Sequence, residues 1–135
     1  MNIRTRRSTL ALIGGVLSAA ATVACAPVPA RRQQFIYVLR IAPGFQDPRE
    51  WTRSENGAVG RHFERLTRAA TEGWVILAGR TTEELATTFG IVIFEAESIE
   101  AARQFMEDDP AITAGVMTAT LHPYSVALQR GLRVE

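Results

Sequence analysis

Apolar positions change their rhythm several times along the chain, and each change predicts an element. Phe35-Ile-Tyr-Val-Leu-Arg-Ile41 is aromatic and β-branched almost without a break, the signature of a strand. Ala42 to Asn56 carries Pro43, Gly44, Asp47 and Pro48 and predicts a long loop. From about Gly57 to Glu72 the period becomes helical, with Val59, Phe63, Leu66, Ala69 and Ala70 forming an apolar stripe and Gly73 as its stop. Trp74 to Ala78 predicts a second strand, closed by Gly79. Thr81 to Leu85 predicts a turn, and Thr88 to Phe94 a third strand. Ser98 then stands as the cap of a helix with Ile99, Ala102, Phe105 and Met106 on its buried side. That helix ends at Asp108, since the residue before a proline is pushed out of the helical region. Asp109 is placed to cap one further turn with Pro110 at its first position, and Gly115 ends that turn. Val116 to Leu128 predicts the last strand. Pro123 within it lacks a ladder donor, which assigns the strand to a sheet edge.

The resulting order, β-α-β-β-α-β, predicts an α+β fold of ferredoxin-like type with a four-stranded antiparallel sheet. Two helices cover one face of such a sheet. The strands are nevertheless apolar on both faces: Ile36 and Val38 alternate with Phe35, Tyr37 and Leu39, and Ile91 to Phe94 is continuous. A sheet with one wet face alternates apolar with polar residues. The second face is therefore expected to meet a second copy of the chain, giving a homodimer, or a small-molecule ligand.

The segment before Phe35 reads as a leader. Arg4, Arg6 and Arg7 precede an uncharged, Ala- and Leu-rich run from Leu10 to Ala24, followed by the small residues Ala24, Cys25 and Ala26. A basic start, a short apolar run and a small-residue cleavage region predict an export signal over residues 1–26. Arg6-Arg7 fits a twin-arginine signal, and a general secretory signal fits as well. Cys25, the chain's one cysteine, sits where a bacterial lipoprotein would carry its lipid, in Thr22-Val-Ala-Cys25. The alternative is a cut after Ala26 and a soluble product. Either way the expected location is outside the cytoplasm, in the periplasm or cell envelope, with the membrane reached through the signal or a lipid anchor. Residues 27–34 form a Pro-rich tether, residues 35–128 the folded domain and residues 129–135 a tail. A single cysteine leaves the domain without an internal disulfide, so its core must stabilise it unaided.

Charge divides at the same boundary. All 15 basic residues are arginine, and all 14 acids follow residue 33. Residues 33–135 hold ten of those arginines against the 14 acids, a formal charge of −4. A mildly acidic domain argues against nucleic acid as partner.

The residues of the domain resemble the YCII-related family, small proteins of the dimeric α+β barrel type. The motifs that carry the resemblance are His62-Phe63-x-x-Leu66, Glu72-Gly73 with Ala78-Gly79, Phe94-x-x-x-Ser98-x-x-x-Ala102, Asp109-Pro110-x-x-x-x-Gly115 and the His122-Pro123-Tyr124 region. They span about residues 35–128. The resemblance implies a homodimer, a cleft beside the sheet, and an active-site dyad of a first-helix histidine and the aspartate of the Asp-Pro turn. By motif these are His62 and Asp109. The chain departs from the family pattern at Val59, where an arginine is frequent, and at Arg80, where a proline is.

Imidazole titrates near neutral pH and can both take and give a proton, so His62 is the candidate general base or acid. A carboxylate behind it would fix its tautomer, the part implied for Asp109. The same aspartate also reads as a plain helix cap, and His62 as a boundary residue of an amphipathic helix. Arg61 and Arg80 are candidates for binding an anionic substrate. Glu107 and Asp108 read as a solvated helix end, and His122 as an outward edge-strand residue. The chain has no Cys nucleophile in the domain, no Gly-rich phosphate loop and no metal-binding spacing, so no cofactor and no metal are expected. What remains is proton transfer on a small organic molecule, as in an isomerase, lyase or hydrolase. The alternative is a non-catalytic envelope protein: a small-molecule binder or a structural dimer.

Overall fold

The computed structural model describes residues 32–131. The leader, Cys25, most of the tether and the end of the tail lie outside the described residues. Eight elements follow one another: strand β1 (Gln33–Ile41), a 3-10 turn (Pro48–Glu50), helix α1 (Arg53–Thr71), strands β2 (Val75–Arg80) and β3 (Phe89–Ala96), helices α2 (Ile99–Glu107) and α3 (Pro110–Thr113), and strand β4 (Met117–Pro123). The strands form one sheet in the order β2-β3-β1-β4, antiparallel at every contact. That is the ferredoxin-like arrangement expected for this chain, with β4 at an edge.

Alternation along β1 decides which face is the core. Phe35, Tyr37 and Leu39 point toward the helices and are buried, whereas Ile36 and Val38 point away and are half-buried. Across the register, Phe94 and Val92 of β3 join the helix side, and Ile93 and Ile91 join Ile36 and Val38 on the other. Leu66 and Ala69 of α1 and Ala102 and Met106 of α2 close the core from above. Its centre is aromatic: Phe94 stacks on Phe105 at 4.8 Å and meets Tyr37 edge-on at 5.6 Å. Each such ring removed from water contributes about 1.5–3 kcal/mol.

Three local expectations are corrected. Helix α1 begins at Arg53, four residues before the predicted Gly57, because Thr52 caps it: its Oγ1 accepts from Ser54 N at 3.1 Å, and the Glu55 carboxylate accepts from Thr52 N at 2.7 Å. Thr52-x-x-Glu55 is a capping box, legible in the sequence. Strand β4 ends at Pro123 rather than Leu128. Beyond it Tyr124 N still reaches Gln34 O, but Val126 N turns to the Gln34 side chain, so the ladder stops. Finally, Phe63 of the predicted apolar stripe is 71% exposed. The residues of α1 that reach the core are Ala58, Leu66 and Ala69. Phe63 instead lines a cavity beneath the helix.

Candidate functional site

The start of α3, the middle of α1 and one inward position of β1 converge on one buried carboxylate. The Asp-Pro turn does the first part. Pro110 cannot donate an amide and its fixed backbone suits the first position of a helix. Asp109 before it stays extended, at φ −66° and ψ 127°. Its Oδ1 accepts from Ala111 N at 2.9 Å, which caps α3. Gly115, in a left-handed conformation at φ 74°, ends that turn and releases the chain into β4.

The cap leaves Oδ2 free, and α1 supplies its partner. Across 47 residues of sequence, His62 Nδ1 lies 2.7 Å from Asp109 Oδ2. Asp109 is fully buried and the His62 side chain is 12% exposed. Two more groups face the same oxygen. Tyr37 OH, inward on β1, donates to it at 3.4 Å. Arg65 Nη1, one turn along α1 from His62, stands 3.8 Å away. Arg65 is held there by α2: its Nη2 donates to Phe105 O at 2.8 Å, and its guanidinium lies 4.1 Å from the Phe105 ring.

The electrostatics follow from that cluster. Burial by itself raises the proton affinity of Asp109, but it is outweighed. The hydrogen bond and charge of His62, the Ala111 amide and the Arg65 charge together hold the carboxyl below its ordinary value. Burial, and then the Asp109 charge, push the Tyr37 phenol far above its ordinary value, so it stays protonated and donates. With Nδ1 turned to a carboxylate, the imidazole carries its proton there. Its Nε2 takes part in no hydrogen bond among the described residues.

His62 also lines a cavity of about 740 Å³ between α1 and the sheet. Val59, Phe63 and Leu66 of α1 wall one side, and Trp51 stands in the loop that bounds it. Trp51 is fixed by a hydrogen bond from Nε1 to Phe45 O at 2.8 Å. The lining is largely apolar. Among the described residues its charged members are Arg40 and Arg80, and none is an acid. The volume falls within the range of about 300–1,000 Å³ typical of small-molecule sites.

The predicted site residues thus separate. His62 and Asp109 are in contact. Arg80, at the end of β2, is exposed and stands on the cavity rim. Arg61 is exposed and outside the cavity lining, and an added Cβ at Gly57 would meet its Nη1 at 3.2 Å, so it folds back along α1. Adjacent helix residues point about 100° apart, which turns Arg61 away where His62 turns in. Glu107 and Asp108 are exposed, as is His122, opposite Ile36 on the outer sheet face. Tyr37 and Arg65 were missed by sequence reasoning. Signals for both existed: Arg65 is three residues after His62 on the same helix face, and a buried tyrosine hydroxyl calls for a partner. Among the described residues no group of three or more His, Cys, Asp or Glu side chains is placed to hold a metal ion, and no helix is long and apolar enough to cross a membrane.

A family model for the YCII-related domain matches residues 37–121. Among solved structures the chain is similar to 5-chloro-2-hydroxyhydroquinone dehydrochlorinase from Burkholderia phenoliruptrix AC1100, in complex with 2,5-dihydroxybenzoquinone. That likeness has a TM-score of 0.47 and 20% identity, covering 68% of this chain and 93% of the other. No curated protein matches the chain.

Proposed function

The chain belongs to the YCII-related domain family, and from that premise we propose that it is a proton-transfer enzyme acting on a small organic anion. The observation that carries the reading is the contact of His62 Nδ1 with buried Asp109 Oδ2 in the wall of a cavity. A neutral imidazole held this way offers Nε2 as a base. It takes a proton from the substrate, Asp109 stabilises the imidazolium that forms, and the proton is returned to product or intermediate. Arg80 is the anion partner on the rim, and the apolar lining takes the body of the substrate. Arg61, pointing elsewhere, has no part in it.

Phenylpyruvate is a fitting probe, since it joins an aromatic body to a carboxylate and has exchangeable protons next to a carbonyl. In deuterated buffer, the protein should speed loss of its C3 proton signal by about a hundredfold or more over His62→Ala. Arg80→Gln should weaken binding with a smaller effect on the bound rate. Equal exchange rates in wild type and His62→Ala would sink the reading. Binding without exchange would point to a small-molecule-binding protein.

Two further proposals complete the picture. The outer sheet face pairs Ile36 with Ile93 and Val38 with Ile91, and beside them Leu77 is 50% exposed. That apolar strip is where a second copy of the chain docks, and Ile91→Arg should turn a dimer into a monomer in light scattering. The leader directs export, and a cut before Cys25 leaves that residue as the lipidated first residue of the mature protein. Labelling with radioactive palmitate that survives in wild type and is lost in Cys25→Ala would test the anchor.

A further inference from the structure

A buried carboxylate bonded to a histidine has two ways to be neutralised. The histidine can hold a proton, which makes an ion pair and removes the base. Alternatively, another cation can stand by, and the histidine can stay neutral. The choice decides whether Nε2 accepts a proton near neutral pH.

Arg65 is placed to settle that choice. Its Nη1 is buried and makes no hydrogen bond among the described residues, yet it stands 3.8 Å from Asp109 Oδ2. Its two other contacts, the Phe105 carbonyl and the Phe105 ring, fix the guanidinium but carry no full negative charge. The remaining groups that face Asp109 cannot supply a standing positive charge. From β1 comes the Tyr37 hydroxyl, a neutral donor. From α3 comes the Ala111 amide. From α2 comes the Phe105 side of the Arg65 clamp, while the acids at its end, Glu107 and Asp108, are exposed. From α1, besides Arg65, comes His62, which is charged only when protonated.

We propose that Arg65 is the standing counter-charge of Asp109, a positioning residue that keeps the His62 imidazole neutral and its Nε2 free to take a proton. The geometry divides the labour. His62, at 2.7 Å, has the hydrogen bond and adds a charge only when protonated; Arg65, too far for a hydrogen bond, carries its charge throughout. Arg65 also lies one helical turn from His62, so its cation opposes a second positive charge on the imidazole. The proposal rests on the proton-transfer reading for its purpose but not for its test.

The test is an NMR pH titration of both imidazoles in histidine-labelled protein, comparing wild type, Arg65→Gln and Arg65→Lys. The chain has two histidines, and exposed His122 on the far sheet face is the internal control. In Arg65→Gln the His62 midpoint should rise by about one pH unit or more, with His122 unmoved. Arg65→Lys restores the charge without the fork that grips Phe105, so it should bring the midpoint most of the way back. A role confined to packing predicts the opposite: no shift in Arg65→Gln, or an equal shift in Arg65→Lys. Either result overturns the proposal. Should Arg65→Gln fail to fold, Arg65→Met keeps the apolar stem on Phe105 and carries the same expectation. The titration needs no substrate. A shift without phenylpyruvate exchange would therefore overturn the enzyme reading and leave Arg65 its role, and exchange without a shift would do the reverse.

Discussion

Ser98 and Asp109 hold the same post in successive helices and do different work. Each is extended, precedes a helix and accepts a backbone amide. Ser98 Oγ accepts from Ala101 N at 3.1 Å, and Asp109 Oδ1 accepts from Ala111 N at 2.9 Å. Ser98 lies at the surface with one oxygen, and its role is complete there. Asp109 is fully buried and has a second oxygen, around which His62, Tyr37 and Arg65 gather. One atom more and a buried position turn a local cap into the hub of a cluster. Helix caps are set by nearest neighbours; sites are set by what the fold brings to the atoms the cap leaves over.

Substitutions sharpen the contrast. Asp109→Ala should have the largest effect, about 3–5 kcal/mol in denaturant unfolding, because it removes the cap and strands the Arg65 charge without its carboxylate. Asp109→Asn keeps an oxygen for the Ala111 amide and should cost less, about 2 kcal/mol, chiefly through the lost charge. Ser98→Ala should cost about 1 kcal/mol, the ordinary worth of a cap. Tyr37→Phe should cost least, about 0.5–1 kcal/mol, since its 3.4 Å contact is long and the ring stays packed on Phe94.

Acid separates the two caps as well. The Asp109 carboxyl sits below its ordinary value of 3.8, so its ionised form stabilises the fold. That stabilisation is fully present above the unfolded value and is lost as pH falls through the lower folded one. Unfolding free energy measured from neutral pH down into the acid range should therefore fall less steeply in Asp109→Asn below about pH 4. The slope should be unchanged in Ser98→Ala. An equal slope in wild type and Asp109→Asn would mean that the carboxylate has no favoured charge in the fold.

The same division marks what could be read from the chain alone. The strands, both caps, the edge position of β4 and the ferredoxin-like order follow from period, turn residues and Pro123, all local signals. The pairing of His62 with Asp109 does not: 47 residues separate them, and no spacing rule joins them. It entered through resemblance to a family, and the geometry of contact is known from the fold. Arg65 and Tyr37 escaped for the same reason, since each looks ordinary among its neighbours: an arginine on an exposed-looking helix face and an aromatic in a strand. Phe63 shows the converse. Helical period places it in the stripe with Leu66, but period reports a side of the helix, and on that side part of the space is cavity rather than core. The start of α1 was legible in Thr52-x-x-Glu55, whose capping box outweighs the turn-forming residues around it.

At the centre stands the tautomer: Asp109 should hold the His62 proton on Nδ1 and leave Nε2, on a side chain that lines the cavity, as the acceptor. Nitrogen-15 NMR of the imidazole at alkaline pH, where the ring is neutral, reads the tautomer directly. The account predicts that His62 is protonated at Nδ1 in the wild type, and that Asp109→Asn moves the population toward Nε2. A His62 ring protonated at Nε2 in the wild type, and indifferent to Asp109→Asn, would contradict it.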